Sequence, residues 1–199
     1  MSFSLPRSKY NNNMNIFEIN EKGSWVTDNP MHCYDEGLNR KLLTLLKGKS
    51  VFDFGCGDGN YLKNLKEVCS LVKGCDGNPF TEQLTDGIGF EADLSSPQTF
   101  GMYDWVTSFE VGEHIPREFE DTFITNLCNH AREGIIMSWA YPGQPGEGHI
   151  NCQTTEYIIE KMYEKNFLVD YVESNNLRNE ADTWWFQANL LIFYKIPKC

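Results

Sequence analysis

One stretch constrains the chain more than any other: Val51-Phe52-Asp53-Phe54-Gly55-Cys56-Gly57-Asp58-Gly59-Asn60-Tyr61-Leu62. β-prone residues lead into an acid, three glycines alternate, and a helix-like pattern follows. The order predicts strand, tight glycine turn, helix. Glycine admits positive φ and leaves no Cβ between backbone and ligand. The helix start offers free amides beside that ligand. Such a turn holds a nucleotide-like cofactor.

Alternation of strands and helices from residue 50 to 166 predicts an α/β fold with a doubly wound, mostly parallel sheet. Leu38, Leu42, Leu45 and Leu46 predict a helix over 36–47, stopped by Gly48. Strands are expected at 50–54, 71–75, 88–91, 103–109 and 134–140. Helices are expected at 60–69, just after Pro79 and broken at Asp86-Gly87, at 117–131 and at 154–163, the last capped by Thr154 and ended at Asn166. Strand six is read at 167–173, a polar connection at 174–182 and a final strand at 185–194. Without a helical crossover, these two strands read as an antiparallel pair. The 199 residues fit one domain (residues 1–199). Residues 1–35 read as a flexible arm or substrate lid, with Ile16, Phe17 and Trp25 among its apolar positions, and residues 36–199 as the cofactor-binding core.

A formal net charge of −11 argues against a broad nucleic-acid or anionic-membrane surface. Seven cysteines without a Cys-x-x-Cys pair support neither a zinc site nor a disulfide framework. Reduced thiols point to an intracellular, cytoplasmic setting. Residues 1–20 carry no continuous apolar core, so no secretory leader is expected. The sequence leaves the oligomeric state open.

The dinucleotide fingerprint fails because Asn60 stands where its third glycine belongs, and no Gly-Lys-Ser/Thr ending supports a Walker loop. What remains is Asp53-x-Gly55-x-Gly57-x-Gly59, with Asp76 and Asp93 at the next two strand ends. This set, with Glu110-Val111-Gly112-Glu113-His114-Ile115, resembles class I S-adenosylmethionine-dependent methyltransferases. The resemblance runs from residue 36 to the last strand and implies a Rossmann-like seven-stranded sheet whose last strand is antiparallel, with helices on both faces. It implies S-adenosyl-L-methionine as cofactor and S-adenosyl-L-homocysteine as product. Asp53, Gly55, Cys56, Gly57 and Gly59 would line the methionine part, and Asp76, with Gly77 and Asn78 behind it, the ribose. Asp93 and Leu94 would meet the adenine, and Glu110 the methionine moiety. The family usually has an apolar residue where Gly77 stands, so Phe80 or Leu94 would have to supply the adenine surface. Glu110 to Pro116, Ser138 to Ala140 and the Gly-Pro-rich loop to Asn151 also resemble a methyltransferase-domain subgroup that suggests no acceptor.

Methyl transfer displaces a good neutral leaving group, so positioning and desolvation supply most of the rate. A base is needed only for a protonated attacking atom. His114 and His149 are the candidates for it, with Glu113 orienting a cationic group. His130 reads as a cation at a helix end, and Asp58 as a helix cap. Trp25, His32, Tyr34, Tyr141, Asn151 and Trp184 are candidates for binding the acceptor, in part through cation–π contacts. Trp105 and Trp139 are expected in the core. No carboxylate set marks the magnesium site of catechol-type enzymes, so no metal is expected. No Asn-Pro-Pro-Tyr run follows strand four, which by the resemblance disfavours base or glutamine methylation. A small-molecule acceptor methylated at nitrogen or oxygen leads. A protein or peptide acceptor, or a non-catalytic cofactor-binding subunit, is the alternative.

Overall fold

The computed structural model describes residues 18–30 and 32–197; the first part of the expected arm, with Ile16 and Phe17, lies outside them. The described chain opens with a hairpin, β1 (Glu18–Ile19) and β2 (Trp25–Val26). Helix α1 (Glu36–Leu45) follows. Its N-cap is Asp35, whose carboxylate accepts from the Leu38 amide at 2.7 Å. Then come β3 (Ser50–Phe54), α2 (Asn60–Leu65), β4 (Leu71–Asp76), α3 (Thr81–Leu84), β5 (Gly89–Glu91) and β6 (Tyr103–Ser108). Two 3-10 turns, Gly112–His114 and Arg117–Phe119, lead into α4 (Glu120–His130). The remainder is β7 (Ala131–Met137), α5 (Thr155–Glu164), β8 (Phe167–Val169), α6 (Tyr171–Glu180), α7 (Trp184–Asn189) and β9 (Leu191–Lys195).

The seven-stranded sheet runs β5-β4-β3-β6-β7-β9-β8. β3 pairs in parallel with both β4 and β6. Only β9 runs against the rest, between β7 and β8. Period-two alternation gives the sheet two cores. Phe52, Phe54, Ile135, Met137 and Phe193 join one apolar cluster; Val51, Ile136 and Ile192 join the other. Trp139 is buried in the first and Trp105 in the second, as expected of core residues.

The stops read from sequence fall where expected. Gly48 has φ +77°, Asn166 φ +66°, and Asp86-Gly87 φ +53° and +74°. The last third differs. The expected strand over 167–173 ends at Val169, and the expected polar connection is helix α6. Asp170 accounts for this, since its side chain accepts from the Val172 and Glu173 amides at 3.0 and 2.9 Å and caps the helix. Tyr171 and Val172, β-prone by type, stand exposed on its surface. Residues 185–189, read as strand, belong to α7, where the buried positions Phe186 and Asn189 keep helical spacing. The helix read at 117–131 ends at His130, and β7 starts three residues before the expected 134.

His130, at the end of α4, is buried in the core rather than exposed at the helix end. Its Nε2 accepts from the Phe100 amide (2.8 Å), and its Nδ1–H donates to the Asn126 carbonyl (2.6 Å). Asp58 braces the turn instead of capping α2, accepting from the Asn60 amide and side chain at 3.2 and 2.8 Å; the cap position is Gly59.

Candidate active site

The order of connections reverses on either side of β3, where open α/β sheets leave a crevice at the carboxyl ends of their strands. A cavity of about 320 Å³ lies there. Its walls are the glycine turn after β3, Asp76 and Gly77 after β4, Leu94 after β5, residues 109–111, His114 and Ile115 after β6, and residues 144–147 and His149 after β7. Gly23, Ser24 and Trp25 of the hairpin and His32, Cys33 and Tyr34 close it from the arm side.

The turn needs its glycines for two reasons. Gly55, Gly57 and Gly59 have φ of +82°, +55° and +75°, which disfavours other residues. A Cβ on Gly55 would also stand 2.3 Å from Val111 Cγ2. Asp76 holds the turn, accepting from the Gly57 amide through Oδ2 and from the Asn78 amide through Oδ1, each at 2.9 Å. Asp53 is buried below and accepts from Thr107 Oγ1 at 2.7 Å. Burial, followed by the neighbouring Asp76 charge, raises its carboxyl to about 7 against the lowering effect of Thr107. Burial lifts the Cys56 thiol well above its ordinary range, which makes it a poor nucleophile.

Gly77 departs from the family pattern for a steric reason, since a Cβ there would meet Ser24 Oγ at 1.9 Å. The arm crosses at that point. Leu94 lines the cavity, whereas Phe80 is more than a third exposed and does not. Asp93 does not line it either. Burial would raise its carboxyl, but hydrogen bonds from Lys22 first, then Ser95 and Ser96, outweigh that and hold it down at about 2. Lys22 thus ties the hairpin to the sheet. Asn78 is also buried away from the cavity, donating to the Thr27 carbonyl at 2.8 Å. Gly59 faces Thr85 rather than the cavity.

A row of rings crosses the other end. Trp25 stacks on His32 at 5.4 Å between centroids and meets His114 edge-on at 5.9 Å; His114 meets His149 at 5.0 Å. His114 Nδ1 lies 3.1 Å from the Gly148 carbonyl and His149 Nδ1 3.3 Å from that of Gln144. A carbonyl only accepts, so both rings carry hydrogen on Nδ1, which leaves Nε2 as the nitrogen free for another partner. Burial first, then His149, lowers His114 to about 4, so it is neutral at pH 7.

Glu110 has φ +53°, a strained value for a non-glycine residue. Its amide donates to Ser138 Oγ (2.9 Å), while its carboxylate accepts from Gln144 and from Asn189 of α7. Glu113 is fully buried behind the wall, and neither carboxylate oxygen has a hydrogen-bond partner among the described residues. Burial, then the Glu110 charge, pushes its carboxyl well up, with its own amide and that of Ala140 close enough to offset part of the effect. The ligand atoms of Glu113, His114 and His149 all lie within 4.8 Å of one another.

Three expected acceptor-binding residues are not on the cavity wall. Asn151 is buried, donating to Glu120 Oε2 at 2.9 Å and accepting from Trp139 Nε1 at 2.7 Å through its carbonyl. Tyr141 and Trp184 pack edge-on at 6.5 Å, with Trp184 half exposed. Residues not singled out do line it, among them Tyr61, Phe109, Gln144, Trp185 and Phe186. The helical run of α7 brings the last two there, and a strand reading of that run hides the placement. Five acids and no Lys or Arg line the cavity among the described residues.

This sheet order, with a glycine turn at the reversal point and an acid closing the next strand, defines the Rossmann-like methyltransferase fold. The chain belongs to the methyltransferase domain family, whose model matches residues 32–189. A probable chloroplastic tocopherol O-methyltransferase of Oryza sativa subsp. japonica is 27% identical over 154 residues, 69% of this chain. The match takes in 42% of that relative, so this chain corresponds to less than half of its length. Magnesium protoporphyrin IX methyltransferase from Synechocystis PCC 6803, solved with bound S-adenosylhomocysteine, has a TM-score of 0.61 at 20% identity, covering 81% of each chain. The N-methyltransferase NodS from Bradyrhizobium japonicum WM9, also with S-adenosyl-L-homocysteine, gives 0.61 at 17% identity, covering 86% of this chain and 94% of that one. The sugar N-methyltransferase KedS8 from Streptoalloteichus gives 0.65 at 10% identity, covering 81% and 88%.

Proposed function

We propose that the chain is an S-adenosyl-L-methionine-dependent methyltransferase acting on nitrogen or oxygen of a small molecule. The observation that carries this reading is one continuous cavity joining the glycine turn and Asp76 to the His114–His149 pair. The cofactor's ribose would sit at Asp76, its methionine moiety along residues 55–57 and Glu110, and its adenine against Leu94. The acid-rich wall suits a sulfonium and an α-amino group. Family membership and small-molecule methyltransferases among the proteins of similar fold support the same reading.

The acceptor atom attacks the methyl carbon in line, its bond to carbon forming as the S–C bond breaks and leaves a neutral thioether. Where that atom is protonated, its proton passes to a histidine Nε2 facing the cavity. Trp25, His32 and Tyr34 on the arm form the opposite wall and exclude water. The arm over 18–35 serves as the lid, with the Lys22–Asp93 pair as its anchor.

Calorimetry with S-adenosylhomocysteine tests the cofactor assignment. Binding is expected, weakened at least tenfold in Asp76→Asn. No binding, or binding unchanged in the variant, refutes it. Labelled cofactor offered with a metabolite extract is expected to mark the small-molecule fraction. Label in protein instead favours a protein acceptor, and cofactor binding with no labelled product favours a non-catalytic subunit.

A further inference from the structure

We propose that Glu113, His114 and His149 bind one divalent first-row transition cation at the acceptor end of the cavity. The inference builds on the methyltransferase reading, since the cation would act on the acceptor.

Burying a carboxyl group without partners is unfavourable by several kcal/mol unless something compensates. Glu113 is such a group, at 0% exposure with neither oxygen in a full hydrogen bond among the described residues, and the nearby Glu113 and Ala140 amides offset only part of its burial. Its neighbour Glu110 adds negative charge, and no Lys or Arg lines the cavity among the described residues. Two side chains face Glu113, the Glu110 carboxyl and His149, whose Nε2 lies 3.9 Å from Oε1.

Each ring has Nδ1 engaged by a backbone carbonyl, which leaves Nε2 for another partner. Metal-binding histidines commonly donate their second ring N–H to a carbonyl or carboxylate, which fixes the tautomer. Here Gly148 and Gln144 provide those carbonyls. The loop carrying His149 is fastened to the turn carrying Glu113, because the Ile150 and Asn151 amides both donate to the Glu113 carbonyl at 2.9 Å. A carboxylate oxygen of Glu113 and one ring nitrogen from each histidine lie within 4.8 Å of one another. Ligands about 2.1 Å from a shared cation stand roughly 3 to 4 Å apart, so small side-chain rotations complete the site.

Two imidazoles and a carboxylate suit manganese, iron, cobalt or zinc better than magnesium, and they leave positions open. His114 and His149 both line the cavity, so an acceptor can reach those positions. A hydroxyl bound there would lose its proton to solvent more readily. Its oxygen then forms the O–C bond as the S–C bond breaks, leaving the neutral thioether. The acceptor class is therefore an alcohol or phenol; with the cation bound its proton goes to solvent, and the transfer to a histidine described above belongs to the metal-free site.

The test is titration of the chelator-stripped full chain with Co²⁺ alone, followed by visible absorption and calorimetry. One equivalent is expected to bind, with ligand-field bands. Glu113→Gln and His149→Ala should each weaken binding at least tenfold while keeping the far-UV spectrum, and His32→Ala should leave it unchanged. Absence of saturable binding overturns the site, as does equal affinity in the Glu113 and His149 variants or equal weakening in His32→Ala. S-adenosylhomocysteine is titrated into the same preparation. Its binding without cobalt binding overturns the metal site and leaves the methyltransferase reading standing; cobalt binding without it supports the site and overturns that reading.

Discussion

Asp53 should make stability fall as pH rises, the direction opposite to that of hydrogen-bonded acids such as Asp93, and replacing it by Asn should remove that dependence. Asp53 sits under the glycine turn with its carboxyl raised from 3.8 to about 7, chiefly by burial. Below about pH 4 the group is neutral folded and unfolded, and its titration adds no penalty. Between about 4 and 7 the unfolded chain has ionised and the folded one has not, so stability falls as pH rises. Above about 7 both are ionised and the loss is complete. A gap of about three pH units at roughly 1.4 kcal/mol each gives a loss of about 4 kcal/mol. Asn keeps the acceptor for Thr107 Oγ1 and cannot ionise. The variant should therefore match the wild type near pH 4 and exceed it by an amount on that order near pH 8.

The assay is urea denaturation of the ligand-free protein at half-unit steps across that range. His114 acts in the opposite sense. With its pKa lowered to about 4 from 6.5, the unfolded chain binds its proton first, so stability is lost as pH falls through that window. Glu113 titrates as well. The raw profile is thus a sum, and the difference between wild type and Asp53→Asn isolates the one group. Parallel curves from pH 4 to 8 would refute the assignment of Asp53 as a buried, neutral acid.

Gly146→Ala tests the position of His149 without altering it. The new Cβ would stand 2.1 Å from His149 Nε2, so turnover should fall at least tenfold with S-adenosylhomocysteine affinity within threefold in calorimetry. Gly55→Ala combines positive φ with a clash against Val111 and should abolish cofactor binding in the same assay. Asp35→Ala removes a buried carboxylate that accepts from the Leu38, Asp182 and Thr183 amides. The loss should be about 2 to 4 kcal/mol in urea denaturation.

The sequence showed most clearly what local chemistry decides. The turn at residues 53–60 could be read because alternating glycines have few other uses, and Asp76 because it follows a short β-prone run. The stops at Gly48, Asp86-Gly87 and Asn166 were legible for the same reason: each needs φ > 0. The run from Tyr171 to Phe186 misled because side-chain preference and capping disagree there. Tyr171, Val172, Trp185 and Phe186 favour strand by type, while Asp170 satisfies two helix-start amides and decides the outcome. That local result moves the acceptor end of the site, since α7 delivers Trp185 to the cavity wall and Asn189 to Glu110.

The Glu113–His149 approach was hidden for a different reason. Nothing in the spacing of a Gly-Pro-rich loop tells which carbonyl its Ile150 and Asn151 amides will find. Once they find Glu113, the loop can only return along the wall built by the 3-10 turn, and His149 must face that carboxyl. The cofactor end of such a fold is therefore written in short motifs. The far wall of the cavity is set instead by two backbone hydrogen bonds between distant segments, which no local pattern in the sequence reveals.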